Sequence, residues 1–336
     1  MNRKLWSMGA AMALACAVAQ QARSADLKLP ADGWASWEVA APEGTPFWCC
    51  WSSWDDSAAS RQPCKLDERP NGFGTRRDQQ TTDAVRVYAR TTAGKLDRLQ
   101  VLAAACQVQT KTPLTDIAGI APDDSARWLV TQAKRDTVDQ STREPVVEQA
   151  LAGLAMHRGD FAGKALADFA HNDARAEARK WAVFWLAMMR GEEGAEVTSS
   201  VMFTDKEPEV RKHAAFAMTQ SKSPRVAPEL IKLGNTDKDG DVRAQAWFWL
   251  AQSGSAGAET AILAAARKDA EDHVREQAVF ALSQLPDERS TKALIAAAED
   301  QSLPREQRKR AVFWLSQSEA DEAQKYLETV LARVTH

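Results

Sequence analysis

The chain has 336 residues, 43 Lys and Arg against 46 Asp and Glu, and a formal net charge of −3. Its 44% hydrophobic share is that of a folded chain and excludes wholesale disorder, and its one long apolar run, at the N-terminus, excludes a multi-span membrane protein. A charge so close to balance, with no concentrated basic stretch, argues against nucleic acid as a partner.

Asn2, Arg3 and Lys4 give a basic start, Leu5 to Ala19 is apolar, and Ala17 and Ala19 offer a small-residue cleavage site. This is the three-part order of a secretory signal, so residues 1–19 read as a signal peptide. The mature chain is then periplasmic or secreted, with no membrane span after cleavage. Lipidation at Cys16 is the alternative anchor. Beyond the signal, Cys49, Cys50, Cys64 and Cys106 remain, an even number in an oxidising compartment, which reads as two disulfides. A Cys49–Cys50 bridge would be strained, so Cys49 and Cys50 each pair with Cys64 or Cys106, in either order. A zinc site of four thiolates lacks the usual C-x2-C spacing, and neither a metal nor a cofactor is expected.

Residues 20–122 form a Cys- and Trp-rich module. Trp34, Trp37, Trp48, Trp51 and Trp54 crowd among Pro, Ser and Asp. In a small stapled domain Trp is an efficient core filler; exposed, the same rings would stack on a glycan or cell-wall fragment. Ala84 to Ala89 alternates as a strand, Thr91 to Gly94 turns, and Leu96 to Leu102 reads as the return strand of a β-hairpin.

From residue 123 to 336 helix-forming residues dominate and the sequence repeats. Arg179-Lys-Trp-Ala-Val-Phe-Trp-Leu186 returns at Arg211, Arg243, Arg275 and Arg308, placing Phe at 184, 216, 248, 280 and 313. A degenerate copy runs from Val147 to Leu154. Asp173, Asp205, Asp237 and Asp269 each stand six residues before the repeated Arg. Pro228 to Leu233, Ala258 to Ala266 and Thr291 to Ala298 supply the other helix of their hairpins, and Ala320 to Val334 a terminal cap. Stacked hairpins make a solenoid.

At about 100° per residue, with Phe at 0°, the core stripe of Ala, Leu and Val centres near 160°. The Phe therefore points away from the core. Beside it lie Met188, Gln220, Gln252, Gln284 and Gln317 on one side and Trp181, His213, Gln245, Gln277 and Arg310 on the other. Stacking aligns Phe184, Phe216, Phe248, Phe280 and Phe313 into a strip on the concave face, flanked by Gln. Such a strip either binds a protein or peptide or welds neighbouring repeats. Trp185, Trp249 and Trp314, one residue after Phe, fall at the core edge.

The pattern Asp-x5-Arg-x2-Ala, with Val before Arg at 210, 242 and 274, resembles a HEAT repeat, closest in length to the HEAT-like repeats first associated with phycobilisome lyases. The resemblance covers roughly residues 140–334. It implies a mainly α fold of about six helical hairpins behind the mixed α/β module. It also implies that Asp205, Asp237, Asp269, Arg211, Arg243 and Arg275 form a structural hydrogen-bonded ladder. Some HEAT-like proteins are iron-dependent hydroxylases with paired His-Glu motifs, and no His-Glu pair occurs here. With no hydrolase, phosphate-loop or metalloprotease motif, a non-enzymatic scaffold is the expectation. Glycan binding by the Trp-rich module and lyase- or hydroxylase-like catalysis are the alternatives.

Overall fold

The structure is a computed structural model and describes residues 27–51, 63–68, 72–75, 81–135 and 146–334. The signal segment, Cys16 and Trp54 lie outside the described residues.

The N-terminal part holds eight strands among the described residues. β1 (Gly33–Ala40), β5 (Ala84–Thr92), β6 (Lys95–Ala103) and β8 (Leu114–Asp116) form one sheet in the order β6-β5-β1-β8. β5 pairs antiparallel with both β1 and β6, and β8 joins β1 in parallel. The hairpin is longer than its sequence suggested. Thr91 and Thr92 stay in the strand, and only Ala93 and Gly94 turn, at φ +49° and +73°. Two positive φ values suit the right-handed twist of the flanking strands. Asp32 Oδ1 holds the Ala93 N–H at 2.8 Å, which keeps a non-glycine residue in that conformation. β2 (Trp48–Trp51) pairs with β4 (Gly72–Thr75), and β3 (Cys64–Lys65) with β7 (Val108–Gln109). Disulfides Cys49–Cys106 and Cys50–Cys64 tie these short pairs to the end of β6.

Thirteen helices follow among the described residues, as six hairpins and one last helix. The first helices of the hairpins are α1 (Pro122–Ala133), α3 (Asp160–Asn172), α5 (Gly191–Thr204), α7 (Val226–Thr236), α9 (Ala258–Lys268) and α11 (Asp287–Glu299). The second helices are α2 (Val146–Met156), α4 (Ala176–Met189), α6 (Pro208–Thr219), α8 (Gly240–Gln252), α10 (Asp272–Ser283) and α12 (Arg305–Ser316), with α13 (Asp321–Val334) at the end. Pro122 and Pro208 open α1 and α6, where a missing N–H costs nothing. Asp239 caps α8 by accepting from the Asp241 and Val242 N–H groups at 3.0 and 3.1 Å. The even-numbered helices stack on one another more closely than the odd-numbered ones, which puts them on the inside of the curve.

Sheet and solenoid share one core. α2 is buried on nearly all sides because β6 lies against it. Ala152 of α2 stands one repeat before Phe184, so the sheet covers the place where every later inner helix presents Phe. A methyl on the neighbouring Gly153 would come within 2.8 Å of Leu129 and 3.0 Å of Val101 and would have to displace them, so glycine eases this approach. Trp37 of β1 meets Trp128 of α1 edge-on at 5.1 Å. Its Nε1 donates to Ser125 Oγ at 2.7 Å. Ser125 in turn lies 2.7 Å from His157 Nε2, and His157 Nδ1 lies 2.6 Å from the Gly153 carbonyl. The directions close only if Nδ1 carries the proton and the ring is neutral. Burial pushes the His157 pKa down to about 4, in agreement.

Candidate functional site

Each inner helix presents the same positions to the inner face, because the repeat is 32 residues and helical phase is kept. The Phe rings lie on the outside of the core and pack on one another. Phe184 stacks on Phe216 at 6.0 Å between ring centres, with planes 14° apart, and Phe248 stacks on Phe280 at 6.0 Å and 12°. Trp links the pairs. Phe216 reaches Trp249 at 4.9 Å, and Phe280 reaches Trp314 at 5.1 Å. Phe184 meets Trp185, Phe248 meets Trp249, and Phe313 meets Trp314, all nearly edge-on. The result is one aromatic ladder from α4 to α12. It alternates because the residue after Phe is Trp185, Ala217, Trp249, Ala281 and Trp314 in turn. At its N-terminal end Trp48 of β2 seals Trp185 edge-on at 5.1 Å.

Phe184, Phe216, Phe248 and Phe280 remain partly exposed, and Phe313 is 50% exposed. The rings therefore join the repeats and still leave apolar surface open. Gln220, Gln252 and Gln317 are exposed beside them and Gln284 partly so. Gln252 Nε2 donates to Gln284 Oε1 at 3.3 Å, a single rung of the amide row. On the other flank Trp181 contacts Phe184 and His213 edge-on, and His213 contacts Phe216. A cleft of about 410 Å3 opens there, lined by Lys180, Glu209, His213, Phe216, Gln245 and Trp249. Burial and the nearby Lys180 ammonium push the His213 pKa down to about 4, so this ring is neutral near pH 7.

Beneath the strip lies the Asp/Arg ladder. Arg211 donates to both Asp237 oxygens at 2.7 and 2.8 Å, and Arg243 to both Asp269 oxygens at 2.8 Å. Each Asp belongs to the next repeat. Each Arg also donates Nη1 to the carbonyl of its own repeat's Asp, Asp205 and Asp237 respectively, at 3.0 Å. Asp205 receives Arg179 in the same way at 2.7 and 3.2 Å, a rung absent from the sequence-derived set although Arg179 opens the first repeat copy. Burial pushes the Asp237 and Asp269 carboxyls up, but the guanidinium hydrogen bonds outweigh it and hold both below the ordinary value. Arg275 departs from the pattern. The last spacing is 33, so position 301 holds Gln. Arg275 turns to Asp272 and the Asp269 carbonyl, while Asp300 takes Arg267 at 2.5 Å.

Of the Trp cluster, Trp34, Trp37 and Trp48 are buried. Trp34 Nε1 donates to Asp67 Oδ1 at 2.9 Å, and the other two pack on the solenoid. Stacking on a glycan needs an open ring face, which these three do not offer. The Ser125–His157 pair has the spacing of a nucleophile and base, yet both residues are fully buried and serve the sheet–solenoid junction. Among the described residues no group of three or more His, Cys, Asp or Glu is placed to hold a metal ion, and no helix is long and apolar enough to cross a membrane.

The family model for HEAT repeats matches residues 163–251 and 235–316. Among solved structures the chain is similar to YibA of Escherichia coli, at 19% identity and a TM-score of 0.35, over 62% of this chain and 76% of that one. It is also similar to human deoxyhypusine hydroxylase in complex with glycerol, at 17% identity and a TM-score of 0.28, over 62% and 88% of the two chains. No curated protein matches the sequence.

Proposed function

We propose that this chain, whose residues 163–316 match the HEAT-repeat model, is an exported, non-enzymatic scaffold that holds a protein or peptide along the inner face of its solenoid. The observation that carries this reading is the partly exposed aromatic ladder from Phe184 to Phe313, flanked by Gln220, Gln252, Gln284 and Gln317. Half-open aromatic rings supply buried area, and amide side chains can both donate to and accept from a peptide backbone. The inner helices lie about 10 Å apart, so an extended chain crossing them passes one repeat every three residues or so. Two disulfides and the N-terminal signal pattern support export to the periplasm or beyond.

The test is selection from a displayed random-peptide library on the mature chain, followed by titration of the selected peptides. A Phe216→Ser/Phe248→Ser/Phe280→Ser variant, checked for an unchanged melting temperature, should bind them at least about tenfold more weakly. Equal binding by both proteins would remove the inner face from consideration. A variant that does not fold is replaced by Gln220→Ala/Gln252→Ala/Gln284→Ala, which leaves the rings in place.

A further inference from the structure

The junction between the last two hairpins differs from the one before it at the residues that fill it. In the earlier junction, Arg289 of α11 donates to the Gly254 and Ser255 carbonyls, both at 2.7 Å, and to Glu259 at 2.5 Å. Gly254 and Ser255 follow the C-terminus of α8, where helix carbonyls lack partners and the dipole is negative. A guanidinium therefore closes that end, and Leu285, four residues before Arg289, is buried at 4% exposure. One repeat later, 33 residues on, Arg289 gives way to Glu322 and Leu285 to Ser318. Both filling groups are lost, and a cleft of about 600 Å3 opens at the ends of α10 and α12.

Its lining includes Leu294, Trp314, Ser283, Gln317, Ser318 and Glu319. Neither α10 nor α12 carries a basic residue in its last turn. Each amide nitrogen on this rim has one N–H in use, Gln284 donating to Ser283 Oγ at 3.1 Å and Gln317 to Ser316 Oγ at 3.2 Å. Facing the cleft are the Glu319 carboxylate, the Trp314 ring, the Ser283, Ser290 and Ser318 hydroxyls and the C-terminal ends of α10 and α12, with the first turn of α11 and the start of α13 on the same rim. We propose that this cleft binds a cationic side chain of the partner polypeptide, arginine in preference to lysine, between Glu319, the helix ends and Trp314. A guanidinium suits the site better than an ammonium because its planar fork both stacks on a ring and reaches several acceptors. The preceding junction shows the same chemistry satisfied from within the chain.

The proposal names the group a partner would supply, and so rests on the scaffold reading, but its test needs no partner. The full chain, labelled with 5-fluorotryptophan, is titrated with N-acetyl-arginine amide and followed by fluorine NMR. Trp314→Phe identifies the Trp314 signal. The expected result is a saturable shift of that signal, with N-acetyl-citrulline amide, the neutral isostere, at least about fivefold weaker. Glu319→Gln should weaken the arginine amide about fivefold as well. Ser318→Leu/Glu322→Arg, which restores the filling groups of the earlier junction, should abolish the shift and leave the other Trp signals in place. Equal binding of the arginine and citrulline amides overturns the proposal. So does an unchanged shift in the Ser318→Leu/Glu322→Arg variant, or no shift at all in the wild type. A saturable shift with no peptide selected on the inner face would keep the cleft and lose the groove.

Discussion

The Arg211–Asp237 rung is the sharpest test of how the repeats are held in register. Both side chains are nearly sealed, at 3% and 5% exposure, and the contact is bidentate. Asp237→Ala would leave the guanidinium in place with its counter-charge gone and only backbone carbonyls, those of Asp205 and Lys206, accepting from it. Breaking a buried pair from one side costs about 3–5 kcal/mol, because the remaining charge is uncompensated. An exposed pair gives the comparison. Glu276 meets Arg310 at 3.0 Å with the two side chains 37% and 51% exposed, so Glu276→Ala should cost about 0.5 kcal/mol. A third variant, Arg211→Met/Asp237→Leu, removes both charges and should recover most of the loss. Urea unfolding followed by circular dichroism reads all three. Because repeats couple only to their neighbours, Asp237→Ala should also split one transition into two. A cost for Asp237→Ala no larger than that for Glu276→Ala would refute the reasoning, and the rung would be geometry without energy.

Burial holds the folded His157 pKa near 4 against an ordinary 6.5. The unfolded chain therefore binds the extra proton, and stability falls as pH drops from about 6.5 to about 4, by about 3 kcal/mol in all. His213 is depressed in the same direction, so the pH dependence of unfolding should be measured in His157→Gln and in His213→Gln; each should remove part of it. A methyl on Gly234 would lie 2.5 Å from the buried Trp247 ring. Gly234→Ala should thus cost about 1–3 kcal/mol in the same unfolding assay. Removing Cys50–Cys64 or Cys49–Cys106 as paired Cys→Ser changes should cost about 3 and about 4 kcal/mol, in the order of the 14- and 57-residue separations. The melting temperature of each variant checks that order.

Much of the solenoid was legible because its determinants are local and periodic. The 32-residue spacing fixed where hairpins begin, and helical phase put Phe on the face away from Ala214, Ala246 and Ala278. The same spacing set each repeated Asp six residues before its Arg, but it did not show that Arg275, which the HEAT resemblance placed in the ladder, leaves it where Gln301 stands 26 residues on. The hairpin of β5 and β6 was visible through alternation, although its turn is two residues shorter than read. Less legible was everything set by one part of the chain lying on another. β1 carries Trp34 and Trp37 without an alternating signal of its own, and its role as the central partner of β5 and β8 depends on strands some fifty and eighty residues away. The 410 and 600 Å3 clefts come from substitutions that matter only once their repeats are side by side.

By itself, the sequence determined the repeat unit, the direction of the Phe and Gln rows and the two-disulfide count, while the Asp/Arg ladder came with the resemblance to HEAT repeats. Only the tertiary structure decided the pairing Cys49–Cys106 and Cys50–Cys64 from the two orders open to it. It alone put the sheet on α2 and Trp48 on Trp185, so that the ladder is closed at one end and half-open at the other. The physical reason is that a helix carries its own phase, whereas which surface covers it is set by volume and hydrogen bonds supplied from far along the chain. Gly153 and the Trp37–Ser125–His157 chain supply them here.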